Sequence, residues 1–184
     1  GSDQTGGQSG HILVATSATS INDSGSITVQ SGTSTDGSTG TILVNTGVTR
    51  DGSAGDVQIE AGHSGSAKGA QIMVRAGNGV IGGEVAVSSG SGNGDAFQDQ
   101  VSGDISINSA AATDGSGSIA IASGTVINGL SGRLSLDSGA VSAGASGEIR
   151  ISVGASGSGR GSDLSLLAGG SAEDKSGDVV IASG

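Results

Sequence analysis

Gly25-Ser26-Ile27-Thr28-Val29-Gln30-Ser31-Gly32 is a short alternating stretch with a glycine at each end, and most of the later chain is a variation on it. Twelve copies start their apolar pattern at Ile12, Ile27, Ile42, Val57, Ile72, Val85, Ile105, Ile119, Leu134, Ile149, Leu164 and Val179. Successive starts lie 15, 15, 15, 15, 13, 20, 14, 15, 15, 15 and 15 residues apart. Self-similarity at a fixed period is the signature of a repeat array, so it governs the reading of everything else.

Aligned on that period, the copies become columns. The position two residues after each start, from Val14, Val29 and Val44 to Ile181, is always Val, Ile or Leu. Apolar residues at period two, many of them β-branched, predict a strand with both columns on one face. The next position on that face is small in nearly every copy, as in Thr16, Ser31, Ala61 and Ser183, and glycine follows it in ten of the twelve. A small residue followed by glycine predicts a corner, where the chain turns and begins a second wall. The other half of each repeat is less regular, and its Asp-Gly and Asn-Gly pairs, such as Asp36-Gly37, Asp51-Gly52 and Asn128-Gly129, carry turn chemistry.

Fifteen residues are too few for a strand, a helix and two loops. The expected fold is therefore all-β: a narrow parallel β-solenoid of about twelve coils of ~15 residues, with equivalent strands stacked about 4.8 Å apart into a rod on the order of 50 Å long. An antiparallel meander is the alternative, but hairpins would make alternate strands unlike each other, and every copy has the same face pattern. A disordered Gly/Ser linker would not place its aliphatic residues periodically. In domain terms, residues 1–9 form a polar lead-in, beginning with a Gly1-Ser2 pair of the kind left by cloning. Residues 10–184 form a single array with an insertion near 91–100.

Composition restricts the function classes. The chain has 184 residues, 38 of them Gly, with one Phe, one Met and no Trp, Tyr, Cys or Pro. Seven Lys and Arg against 17 Asp and Glu give a formal charge of −10, which disfavours nucleic acid as a partner because phosphate binding needs a basic stripe. No apolar run approaches the roughly 18 residues of a membrane span, so membrane insertion is not expected. His11 and His63 belong to no nucleophile or metal-ligand spacing, and the glycine pair Gly82-Gly83 has no helix beside it to cradle phosphate. No catalytic set, and hence no enzyme, is expected. Asn22-Asp23-Ser24 is the one N-glycosylation triplet.

Several positions stand as candidates. Phe97, flanked by Asp95 and Asp99, lies in the insertion and is either a contact residue or a tolerated surface loop folded over the wall. Leu13, Leu43 and Met73 fall in an outward column at every second coil and would form an apolar stripe for lateral partners, or be scattered surface residues. Glu148, Asp163 and Asp178 occupy one outward column in three consecutive coils, where like charges repel unless solvent or a cation screens them. Calcium is the one cofactor they suggest, although the strict ligand pattern of glycine-aspartate calcium repeats is absent. The column Thr19, Ser34, Thr49, Ser64, continuing to Ser156 and Ser171, raises the question of an ice-binding ladder, but it holds two Thr in ten positions.

The unit Ser-Gly-x-Ile/Val-x-Ile/Val-x-Ser/Ala, as in Ser102-Gly103-Asp104-Ile105-Ser106-Ile107-Asn108-Ser109 and Ser176-Gly177-Asp178-Val179-Val180-Ile181-Ala182-Ser183, resembles the Gly/Ser-rich modules of large secreted surface proteins of algae and bacteria. The resemblance covers residues 10–184 and implies an extracellular structural or adhesive role, with no functional residues to carry over. The expected function is thus a non-catalytic, extracellular or cell-surface solenoid. Its expected partner is itself, end to end through strand edges left open at Gly184, with side-by-side contact as a further option. A ligand-binding solenoid for calcium, glycan or ice is the alternative.

Overall fold

The computed structural model of the chain describes residues 9–92 and 100–183. It corrects the expected fold. Among these residues there is no helix and no β-strand, so no β-solenoid is present, and the chain has low-regularity structure. A parallel stack requires the N–H and C=O groups of each strand to be taken up by neighbouring copies. The backbone–backbone hydrogen bonds of the described residues instead run from Ala70 N–H to Gly62 O, Gly83 N–H to Gly77 O, Gly103 N–H to Gly90 O and Gly177 N–H to Gly169 O, at 2.9–3.0 Å. Each closes a loop between one copy and the next and none builds a ladder. The physical reason lies in composition. Two aliphatic side chains per fifteen residues offer little burial, while glycine loses more conformational freedom on ordering than any other residue.

Surface area agrees with the hydrogen bonding. The chain exposes 18410 Å², whereas a compact protein of this mass would expose about 7,800 Å² and a fully extended one about 25,000 Å². No hydrophobic residue among those described is buried, and the least exposed large one, Val153, retains 43% of its surface. From Ile27 onward the first aliphatic column is 46–63% exposed and the second 60–86%. The difference repeats copy after copy, so it follows from local backbone course.

That course is extended across the aliphatic pairs even though nothing pairs with them. Side chains two residues apart touch on the outward side: Gln58 Nε2 donates to Glu60 Oε2 at 3.2 Å, Arg75 Nη2 lies 3.4 Å from Met73 Sδ, and Ser106 Oγ donates to Asn108 Oδ1 at 3.3 Å. Ser135 and Asp137 make the same kind of contact. Contact between i and i+2 is what an extended backbone gives. The alternation in the sequence thus sets local conformation without generating a sheet.

The chain divides into two units, Gly1–Val87 and Ser88–Gly184. Bends in the first lie at residues 20–22, 35–37, 50–52, 65–67 and 79–81. In the second they lie at 113–114, 127–129, 142–144, 157–159 and 172–174.

At nine of the eleven junctions between copies the corner residue sits beside the glycine that opens the next copy, the exceptions having Ala70 and Ser162 in place of that glycine. A Cβ built on Gly40 would lie 3.7 Å from Ser31 Cβ, one on Gly132 3.5 Å from Ser123 Cβ, and one on Gly147 3.8 Å from Ser138 Cβ. In the first unit Ser31, Thr46, Ala61 and Ala76 are half-buried, and Ser109 is half-buried in the second. The covered positions are therefore mainly the small corners, while the aliphatic columns expected to form the core are left open.

Candidate functional site

The recurrent chemistry of the chain is in its bends. Thr19 Oγ1 accepts a hydrogen bond from Asn22 N–H, Ser34 Oγ from Gly37 N–H, Thr49 Oγ1 from Gly52 N–H, Ser64 Oγ from Ala67 N–H, and Ser171 Oγ from Asp174 N–H, at 2.9–3.2 Å. In each case a hydroxyl reaches three residues forward and satisfies an amide that the bend would otherwise turn to water. These residues belong to the column that raised the question of ice binding. Their hydroxyls are occupied with the backbone of their own bend.

Where the column holds Val, a different device makes the bend. Val126 and Val141 are followed three residues on by Gly129 and Gly144, whose φ values are +113° and +116°. Ser156 is followed by Gly159 at +110°, and here the serine hydroxyl donates to Ser158 O at 3.2 Å. No other described residue has positive φ. At Asn22, Ala67 and Asp174 a hydroxyl caps the third position, and that position is not glycine. Sequence reasoning found the Asp-Gly and Asn-Gly turns but missed the cap. Its signal lies in the fifteen-residue recurrence of Ser or Thr three residues ahead of the turn's end in six of the ten bends.

The predicted site residues do not converge. Glu148, Asp163 and Asp178 are exposed, and no three acidic or histidine side chains among the described residues could hold one metal ion. Asp163 faces Arg160 at 3.9 Å and Asp178 faces Lys175 at 3.2 Å, each an exposed pair three residues apart. Such pairs contribute little to stability. Leu13, Leu43 and Met73 are all exposed, and there is no ladder among the described residues to set them in a row. Phe97, with Asp95 and Asp99, lies outside the described residues. The base of that insertion is visible: a Cβ on Gly92 would come within 2.6 Å of Val101 N, so only glycine lets the two ends approach so closely. His11 and His63 are exposed and far apart in sequence, each in its own copy. The described residues enclose no cavity, and no helix among them is long and apolar enough to cross a membrane.

No family model, curated protein or solved structure matches the chain. The candidate functional surface is therefore defined by its own geometry: exposed aliphatic pairs at fixed period, separated by capped or glycine bends.

Proposed function

We propose that this chain is a non-catalytic structural or adhesive repeat segment of an extracellular or cell-surface assembly, acting by association with copies of itself. The observation that carries this reading is the exposure of the aliphatic pairs, Ile42 at 50% and Val44 at 75% being representative. Apolar surface left open in a regular series marks an interaction surface. Each pair is a weak contact, but weak contacts linked along one chain gain from effective concentration when their spacing matches that of the partner. A second copy offers the same fifteen-residue spacing, with the same 13- and 20-residue irregularities. End-to-end joining through strand edges is not part of the proposal, because the described residues have no strands to supply them.

The test is sedimentation velocity over a wide concentration series. The unaltered chain should associate progressively, and a variant with Ile27, Ile42, Val57 and Ile72 all replaced by Ser should associate far less. Monomers throughout the series, or equal association of both proteins, would overturn the reading.

A further inference from the structure

Two stretches of the chain differ at one residue and so form a controlled comparison. Ser34-Thr35-Asp36-Gly37-Ser38 and Ala112-Thr113-Asp114-Gly115-Ser116 share their last four residues, occupy the same place in the repeat and both lie at bends. In the first, Gly37 N–H is held by Ser34 Oγ at 2.9 Å. In the second, Ala112 has no hydroxyl, and Gly115 N–H has no hydrogen-bond partner among the described residues. A third Asp-Gly pair, Asp51-Gly52, is held like the first, with Gly52 N–H donating to Thr49 Oγ1 at 3.2 Å.

The held amide is also the atom that can modify the chain. In an Asp-Gly pair the glycine nitrogen can attack Cγ of the preceding carboxyl group, because no Cβ hinders its approach. The N–Cγ bond forms, the Cγ–OH bond breaks, and the amide proton leaves with that hydroxyl as water, giving a five-membered succinimide. Water then adds at one of the two ring carbonyls and the C–N bond at that carbonyl breaks. Opening at Cγ restores aspartate, and opening at the α-carbonyl leaves the chain linked through Cγ as isoaspartate. One water is lost and one regained, with no oxidant or cofactor. An amide that donates to a hydroxyl three residues back has its proton engaged and its orientation fixed. At Gly115 the amide is unengaged, and a Cβ there would meet nothing within 4 Å, so the side chain of Asp114 has room to swing onto it.

We infer that Asp114 is a site of spontaneous isoaspartate formation, and that the Ser34 and Thr49 hydroxyls protect Asp36 and Asp51 from the same reaction. Isoaspartate inserts an extra methylene into the main chain and makes the residue a substrate for an isoaspartyl carboxyl methyltransferase. Among the three Asp-Gly bends, the modification is thereby directed to the one in the second unit. This inference is independent of self-association.

The experiment is to hold the full chain at neutral pH and map isoaspartate by peptide mass spectrometry with methyltransferase labelling. Isoaspartate at Asp114 should accumulate roughly 2- to 10-fold faster than at Asp36 or Asp51, the factor that one exposed hydrogen bond is worth. Ala112→Ser should bring Asp114 down to the rate of Asp36, and Ser34→Ala should raise Asp36 to the rate of Asp114. Equal accumulation at Asp36 and Asp114 in the unaltered chain, or a ratio that neither substitution moves, would overturn the inference.

Discussion

Gly129, Gly144 and Gly159 are fifteen residues apart and share φ values of +113°, +116° and +110°, a region that L side chains rarely adopt. Gly37 and Gly52 occupy the equivalent place without positive φ, and Ser34 and Thr49 hold their amides; Gly115, whose amide nothing among the described residues holds, also lacks positive φ. The two devices predict opposite tolerance to a methyl group. Gly144→Ala should oppose its backbone conformation by ~1–3 kcal/mol and abolish the bend at 142–144. Gly37→Ala should leave the bend at 35–37 in place, since its Cβ would sit 3.3 Å from Ser34 Oγ, close enough to need only a small adjustment. Backbone chemical shifts and scalar couplings across each bend would decide it, and equal responses to the two substitutions would refute the distinction. At this scale the Asp-Gly and Asn-Gly turns were legible, because their conformational demand is carried by residue type. The cap was not read, because a hydroxyl bound to an amide three residues ahead leaves no pattern beyond the recurrence of Ser or Thr.

Each repeat consists of a constant part and a variable loop. Where copies are 15 residues apart, the closing hydrogen bond spans eight residues, from Ala70 to Gly62 and from Gly177 to Gly169. Where the spacing is 13 it spans six, from Gly83 to Gly77, and where it is 20 it spans thirteen, from Gly103 to Gly90. The remainder is seven residues every time, so at these closures every change in repeat length falls inside the closed loop. Loop length costs little once the ends meet, which explains why the loop absorbs the variation. At three of the four closures the donor is the opening glycine of the next copy, and at the fourth it is Ala70. At Gly25 a Cβ would lie 3.2 Å from Thr16 Cγ2, and Thr16 Oγ1 donates to Gly25 O at 3.3 Å. Gly25→Ala should therefore push the Thr16 side chain aside by a few tenths of an ångström and weaken its hydrogen bond to Gly25 O, and adding Thr16→Ser should restore that bond by removing the crowding methyl group while keeping the hydroxyl. The readout is the nuclear Overhauser contact between residues 16 and 25, which should weaken in Gly25→Ala and recover in the double variant; an unchanged contact in Gly25→Ala would refute the account. Alternation was readable as an element because it is a property of neighbouring residues, whereas the expected corners are not where the chain bends: the bends lie at 35–37, 50–52 and 65–67 and not at Ser31-Gly32, Thr46-Gly47 and Ala61-Gly62. The solenoid was misread, because stacking depends on whether burial across copies exceeds the entropy of ordering glycine-rich chain, and Ile27 and Val29 look the same in sequence whether that balance is met or missed.

For the molecule as a whole, the absence of any buried hydrophobic residue among those described and an exposed surface of 18410 Å² determine its response to heat. A cooperative domain absorbs about 0.7 kcal/mol per residue at its midpoint, and its heat capacity rises because apolar surface enters water. Here the aliphatic columns already face water, so heating a dilute solution has little apolar surface left to expose. Scanning calorimetry at low protein concentration should show no cooperative peak and no step in heat capacity. Association changes the expectation. Copies that cover each other's Ile, Val and Leu pairs bury that surface, and anything that stabilises the associated form makes a transition depend on concentration. The charge of −10 opposes such contact most strongly at low ionic strength, where the Debye length is about 30 Å, and less at physiological salt, where it is about 8 Å. A heat-absorption peak should accordingly emerge only as protein concentration and salt rise together, and its midpoint should climb with concentration. A sharp peak of ordinary size in dilute, low-salt solution, unmoved by concentration, would show a core belonging to the single chain and would overturn both the open fold and the proposed role of its aliphatic pairs.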